Sequence, residues 1–107
     1  MNLTIKERIF LRTTFKPEKL GLVNGDLWDD IEQSVKFTKE EVTKYNIVET
    51  PGDIKWNPEI KEDPVDFEFS AEQILLLKRS VRELDRNEAI PNFRDVREFA
   101  RKILKSS

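Results

Sequence analysis

The chain has 107 residues, enough for one domain with a modest core and too few for two. Hydrophobic and charged residues each make up 37%, seven Phe and two Trp argue against disorder, and the net charge of −2 excludes a general pull toward nucleic acid or anionic membrane. Histidine and cysteine are both absent, which removes the commonest general base near neutral pH, the strongest thiol nucleophile, the usual zinc ligands and any disulfide.

Helix starts are legible along the chain. Thr4 and Glu7 form a capping box that opens a helix expected over 5–14. Pro17 and Gly21 suit the start and end of a short helical turn at 17–21. Asn24-Gly25 is read as a turn, with Asp26 capping a helix over 27–36 that gathers Leu27, Ile31 and Val35 on one face. Thr38 and Glu41 make a second box, with Phe37 and Val42 as its hydrophobic staple, opening a helix over 39–46.

The period then changes. Thr50-Pro51-Gly52-Asp53 fits a type II turn. Ile54 and Trp56 alternate with Lys55, and Val65, Phe67 and Phe69 alternate with Asp66 and Glu68, which predicts two half-buried strands. These are expected to pair as one antiparallel hairpin whose apolar face packs on the helices, because a lone hairpin is marginal in water. Ser70 and Gln73, with Phe69 and Ile74 as staple, open a long helix over 71–87. A weaker box at Asn92 and Asp95 opens a last helix over 93–105. The fold class expected is α+β: a mostly helical single domain over 1–107 with one two-stranded hairpin.

No residue pattern points to catalysis. Asp26, Asp29, Asp30 and Glu32 cluster without the spacing of a calcium loop, and the reading favoured for them is the first turn of a helix, where the macrodipole prefers acids. Gly21, Gly25 and Gly52 are too scattered to cradle a phosphate. No catalytic, cofactor-binding or metal-binding residue is assigned, and a non-enzymatic role is expected.

Charge is unevenly distributed. Residues 51–69 carry two basic and six acidic side chains, a net of −4, whereas residues 70–107 carry nine and six, a net of +3. Lys78, Arg82 and Arg86 repeat every four residues, and Arg94, Arg97, Arg101 and Lys105 every three or four. Each set forms a stripe beside an apolar face, an arrangement able to neutralise nucleic-acid phosphates. Glu83, Asp85, Asp95 and Glu98 lie among them, so a solvated face with intrahelical pairs is the favoured reading. Leu75 falls on the side of Lys78 and Arg82 rather than with Ile74, Leu77 and Val81. A second buried side at the helix start is favoured for it, with a partner contact as the alternative. The outer edges of the hairpin offer a further place for another chain to add.

The layout resembles a family of small proteins encoded in bacteriophages and prophages. The resemblance rests on Leu3-Thr4-Ile5-Lys6-Glu7-Arg8-Ile9, Val35-Lys36-Phe37-Thr38-Lys39-Glu40-Glu41, Ile54-Lys55-Trp56-Asn57 and Val65-Asp66-Phe67-Glu68-Phe69, which together span most of the chain. Residues Lys16 to Trp28 fit least well. The resemblance implies a bacterial cytoplasmic setting and no known activity. No apolar run approaches the roughly 18 residues of a membrane span, and the amino terminus lacks the order of a signal peptide.

The resulting expectation is a small protein-interaction module. Its partner is a host or phage protein, or a second copy, recognised in part through Leu75. The alternative is nucleic-acid binding through Lys78, Arg82, Arg86, Arg94, Arg97, Arg101 and Lys105.

Overall fold

Three capping boxes set the helical frame of the computed structural model, which describes all residues 1–107. At Thr4, Thr38 and Ser70 the side-chain oxygen accepts the backbone N–H three residues on, and Glu7, Glu41 or Gln73 returns the bond to the cap's own N–H. They open α1 (Ile5–Arg12), α3 (Lys39–Tyr45) and α4 (Ala71–Arg86). The remaining helices are α2 (Leu22–Ser34) and α5 (Arg94–Leu104). The fourth box does not form. Phe93 is the N-cap of α5 without a side-chain bond, while Asn92 Oδ1 accepts from Arg97 and Asp95 Oδ1 accepts the Val96 N–H.

Strand pairing departs from the expected hairpin. The chain is α+β, but its four short strands form two separate two-stranded sheets. Strand β2 (Val48–Thr50) pairs antiparallel with β3 (Asp53–Lys55), Glu49 opposite Ile54, across the Pro51-Gly52 turn, where Gly52 has φ 82°. Strand β1 (Asn2–Leu3) pairs with β4 (Val65–Asp66), Leu3 opposite Val65. The Pro51-Gly52 turn closes a two-residue loop at small entropic cost, whereas joining 54–56 to 65–69 requires a longer, proline-bearing loop. Ile54 and Trp56 pack with Ile5, Tyr45 and Ile47 in a small second cluster. Phe67 and Phe69, stacked with centroids 6.3 Å apart, pack against the main core, and Val65 stays exposed.

α2 also starts early. It begins at Leu22 and runs through Asn24-Gly25, with Gly21 as its N-cap rather than the end of a preceding turn, and 17–21 is not helical. Asn and Gly are poor helix formers, Gly by about 1 kcal/mol against Ala, but Trp28, Ile31 and Val35 bury completely and tertiary packing overrides that preference. The acids Asp26, Asp29 and Asp30 therefore lie in the helix body. No acid occupies its first turn, so the macrodipole does not explain them.

The main core joins Leu3, Leu11, Phe15, Trp28, Ile31 and Val35 to the inner faces of α4 and α5, with Ile74, Leu77, Val81, Val96, Phe99 and Ile103. One buried cation ties the smaller elements to it. Arg8 is 2% exposed and donates to the Val35 and Lys36 carbonyls and to both Glu41 carboxylate oxygens, and its guanidinium lies 4.4 Å from the Phe37 ring centroid and 5.0 Å from that of Phe67.

The end of α4 is strained. Glu88 has φ 52°, with its N–H bonded to Asp85 and that of Ala89 to Leu84, a Schellman closure that ordinarily uses glycine. Glu88→Gly is expected to stabilise the fold by about 1 kcal/mol, relief of the left-handed penalty outweighing glycine's greater unfolded freedom. A urea midpoint at or below that of the wild type would contradict this.

Candidate interaction surface

Core and solvent divide α4 and α5 along their lengths. On α4, Ile74, Leu77, Ser80 and Val81 are buried, and Ser80 Oγ donates to the Phe15 carbonyl. At 3.6 residues per turn, Leu75, Lys78, Arg82 and Arg86 fall on the opposite side. Leu75 is 63% exposed. The expectation of a second buried side is thus wrong: α4 buries one face, and Leu75 stands in the middle of the other. On α5, Val96, Phe99, Ala100 and Ile103 are buried, and Arg94, Arg97, Arg101 and Lys105 lie opposite.

The acids among these cations do not neutralise them. Glu83 pairs with Arg79 and Asp95 with Lys6, neither cation belonging to the stripes. The Lys6 hydrogen bond holds the Asp95 carboxyl below its ordinary 3.8 against slight desolvation, with help from the Val96 N–H. None of Lys78, Arg82, Arg86, Arg94, Arg97, Arg101 and Lys105 forms an ion pair. The intrahelical pairing expected to tie them up is therefore limited to Arg79–Glu83.

Between the two helices runs a groove of about 430 Å³. Val81, Ile90, Ala100 and Leu104 give it an apolar lining, Arg97 and Arg101 lie along it, and Asp85 and Glu88 add opposite charge. Outside the groove, Phe93 at the start of α5 is 66% exposed, an apolar side chain with no surface role expected from the sequence. Its signal was weak, because a phenylalanine beside Pro91 and Asn92 reads equally well as the first core residue of a helix.

Elsewhere the surface offers little chemistry. No group of three or more His, Cys, Asp or Glu side chains is placed to hold a metal ion, so Asp26, Asp29, Asp30 and Glu32 do not form one. Glu32 is drawn off into an ion pair with Lys16 at 2.8 Å. No helix is long and apolar enough to cross a membrane. The sequence significantly matches no protein-family model, no curated protein and no solved structure.

Proposed function

We propose that this protein is a small, non-enzymatic protein-interaction module whose α4–α5 face engages an acidic partner surface. The observation that carries this reading is the combination of seven cations without ion-pair partners and an exposed Leu75 among them. Free side-chain charges steer association and set specificity, while a desolvated apolar anchor supplies affinity. The resemblance drawn from the sequence suggests a host or phage protein, or a second copy of this chain, as the partner.

Nucleic-acid binding is the competing reading, favoured by the same free cations. Against it stand Asp85, Glu88 and Glu98, exposed on the same two helices and their connection and repelling phosphate, and Leu75 where a phosphate contact would want a donor.

A tagged pull-down from bacterial lysate, with and without nuclease, separates the two. A stoichiometric protein that survives nuclease is expected, with capture reduced about tenfold or more by Leu75→Asp and by Arg82→Glu with Arg97→Glu while helicity is unchanged. Recovery of nucleic acid alone, lost on digestion, would replace this reading with the second.

A further inference from the structure

The solvent face of α2 is opposite in charge to that of α4 and α5. Asp26, Asp29 and Asp30 are exposed there, no Lys or Arg occurs from Leu22 to Ser34, and none of the three acids forms an ion pair. At the start of this face Leu22 is 91% and Val23 81% exposed, the most exposed large apolar side chains in the chain.

The two faces also share a register. On α2, Leu22 is followed by acids four, seven and eight residues on; on α4, Leu75 is followed by cations three, seven and eleven residues on. With a rise of 1.5 Å per residue, the first charge stands about 6 Å beyond the leucine on α2 and about 4.5 Å beyond it on α4, and the second about 10.5 Å beyond it on both. Laid side by side in parallel, the helices bring Leu22 against Leu75, Asp26 opposite Lys78 and Asp29 opposite Arg82. Within one chain α2 packs against α4 through the buried faces of both helices, which leaves these two outer faces open.

We propose that the acidic surface engaged by the α4–α5 face is the α2 face of a second copy of this chain, with Leu22 packed on Leu75. This rests on the interaction reading above and names its partner. Because the contact joins two different patches, a pair of copies keeps one acidic and one basic face free, so the assembly grows into chains or closes as a ring. Its charged contacts are exposed and are screened once the Debye length falls well below about 10 Å.

Sedimentation of the wild-type protein over a concentration series tests this. A mass above the 12.7 kDa monomer is expected at about 20 mM salt, reverting to monomer at about 500 mM. Asp26→Lys with Asp29→Lys, and separately Lys78→Glu with Arg82→Glu, should each give a monomer, and mixing the two should restore association. The chain has no cysteine, so Leu22→Cys and Leu75→Cys proteins provide an independent readout. Oxidised together at low salt they should cross-link several-fold more than either alone. A wild type monomeric at low salt, or association indifferent to both reversals and equal cross-linking with a cysteine at Val48, overturns the proposal. If self-association fails while lysate capture still depends on Arg82 and Arg97, the interaction reading stands with another partner. Capture unchanged in those variants would remove the reading itself.

Discussion

Arg8→Ala is expected to lower the unfolding free energy by about 3 kcal/mol, because it leaves a half-buried carboxylate without its charged partner and two carbonyls without their donor. Four hydrogen bonds converge on this one guanidinium, from the end of α2 at Val35, the connection at Lys36, and both oxygens of Glu41. Glu41 is also the returning half of the α3 capping box, accepting the Thr38 N–H at 2.8 Å. Losing Arg8 therefore loosens α1, the end of α2 and the start of α3 together. Phe37 and Phe67 lose the cation they pack on as well. Set against a typical domain stability of about 5–15 kcal/mol, the loss leaves little margin. Urea denaturation measures it; a change below about 1 kcal/mol would show the network to be incidental.

The same site makes stability depend on pH. Partial burial pushes the Glu41 carboxyl up, but the hydrogen bonds and charge of Arg8, joined by the bonds from Thr38, outweigh it and hold the group below its ordinary 4.5. Hydrogen bonding from Arg12 holds Glu49 down in the same direction, against some desolvation and with added charge from Arg12 and Lys36. A depressed folded-state value means that the unfolded chain binds the proton more readily. The stabilisation is fully present above pH 4.5 and is lost as pH falls through the lower folded values. Thermal melts between pH 7 and pH 3 should show the loss, and it should be smaller in Glu41→Gln, which keeps an acceptor for both Arg8 and Thr38 but carries no charge to titrate.

Phe99→Ala is expected to cost about 3–5 kcal/mol, the usual range for emptying a fully packed aromatic site. Phe99 is 1% exposed, with its ring centroid 5.7 Å from that of Phe15 in an edge-on contact and 6.1 Å from that of Phe10. Through these contacts it joins α5 to α1 and to the segment after it, so its loss opens a cavity between elements that no other aromatic pair bridges. Phe93→Ala is the matched control on the same helix. Being largely exposed, it should change stability by no more than about 0.5 kcal/mol. Equal effects of the two substitutions would mean that the burial of α5 is misassigned.

The chain's own residues determined where three of the five helices begin, because a capping box is a local device. Thr4 with Glu7, Thr38 with Glu41 and Ser70 with Gln73 satisfy their orphan N–H groups within four residues, whatever surrounds them. The buried faces of α4 and α5 were equally legible, since Ile74, Leu77, Val81, Val96, Phe99 and Ile103 recur at helical spacing. The place of Arg8 could have been read too: it stands three residues after Ile5 and three before Leu11, an arginine within the buried stripe of α1.

What depends on distant contacts was decided only by the tertiary structure. Alternation marked Ile54 and Val65 as strand residues but carried no information about partners, and β4 found Asn2 and Leu3, more than sixty residues away in sequence, instead of β3. Asn24-Gly25 carries the local signature of a turn, yet lies inside α2, because burial of Trp28 and Ile31 outweighs a backbone preference of about 1 kcal/mol. Leu75 followed the same logic in reverse. Its position on the wheel was plain from the sequence, but whether a second layer covered that side depended on where the other helices packed, and none covers it. The seven cations were visible as stripes, while their freedom from ion pairs was not: Asp95 turned to Lys6, eighty-nine residues distant, and left the stripe on its own helix unpaired.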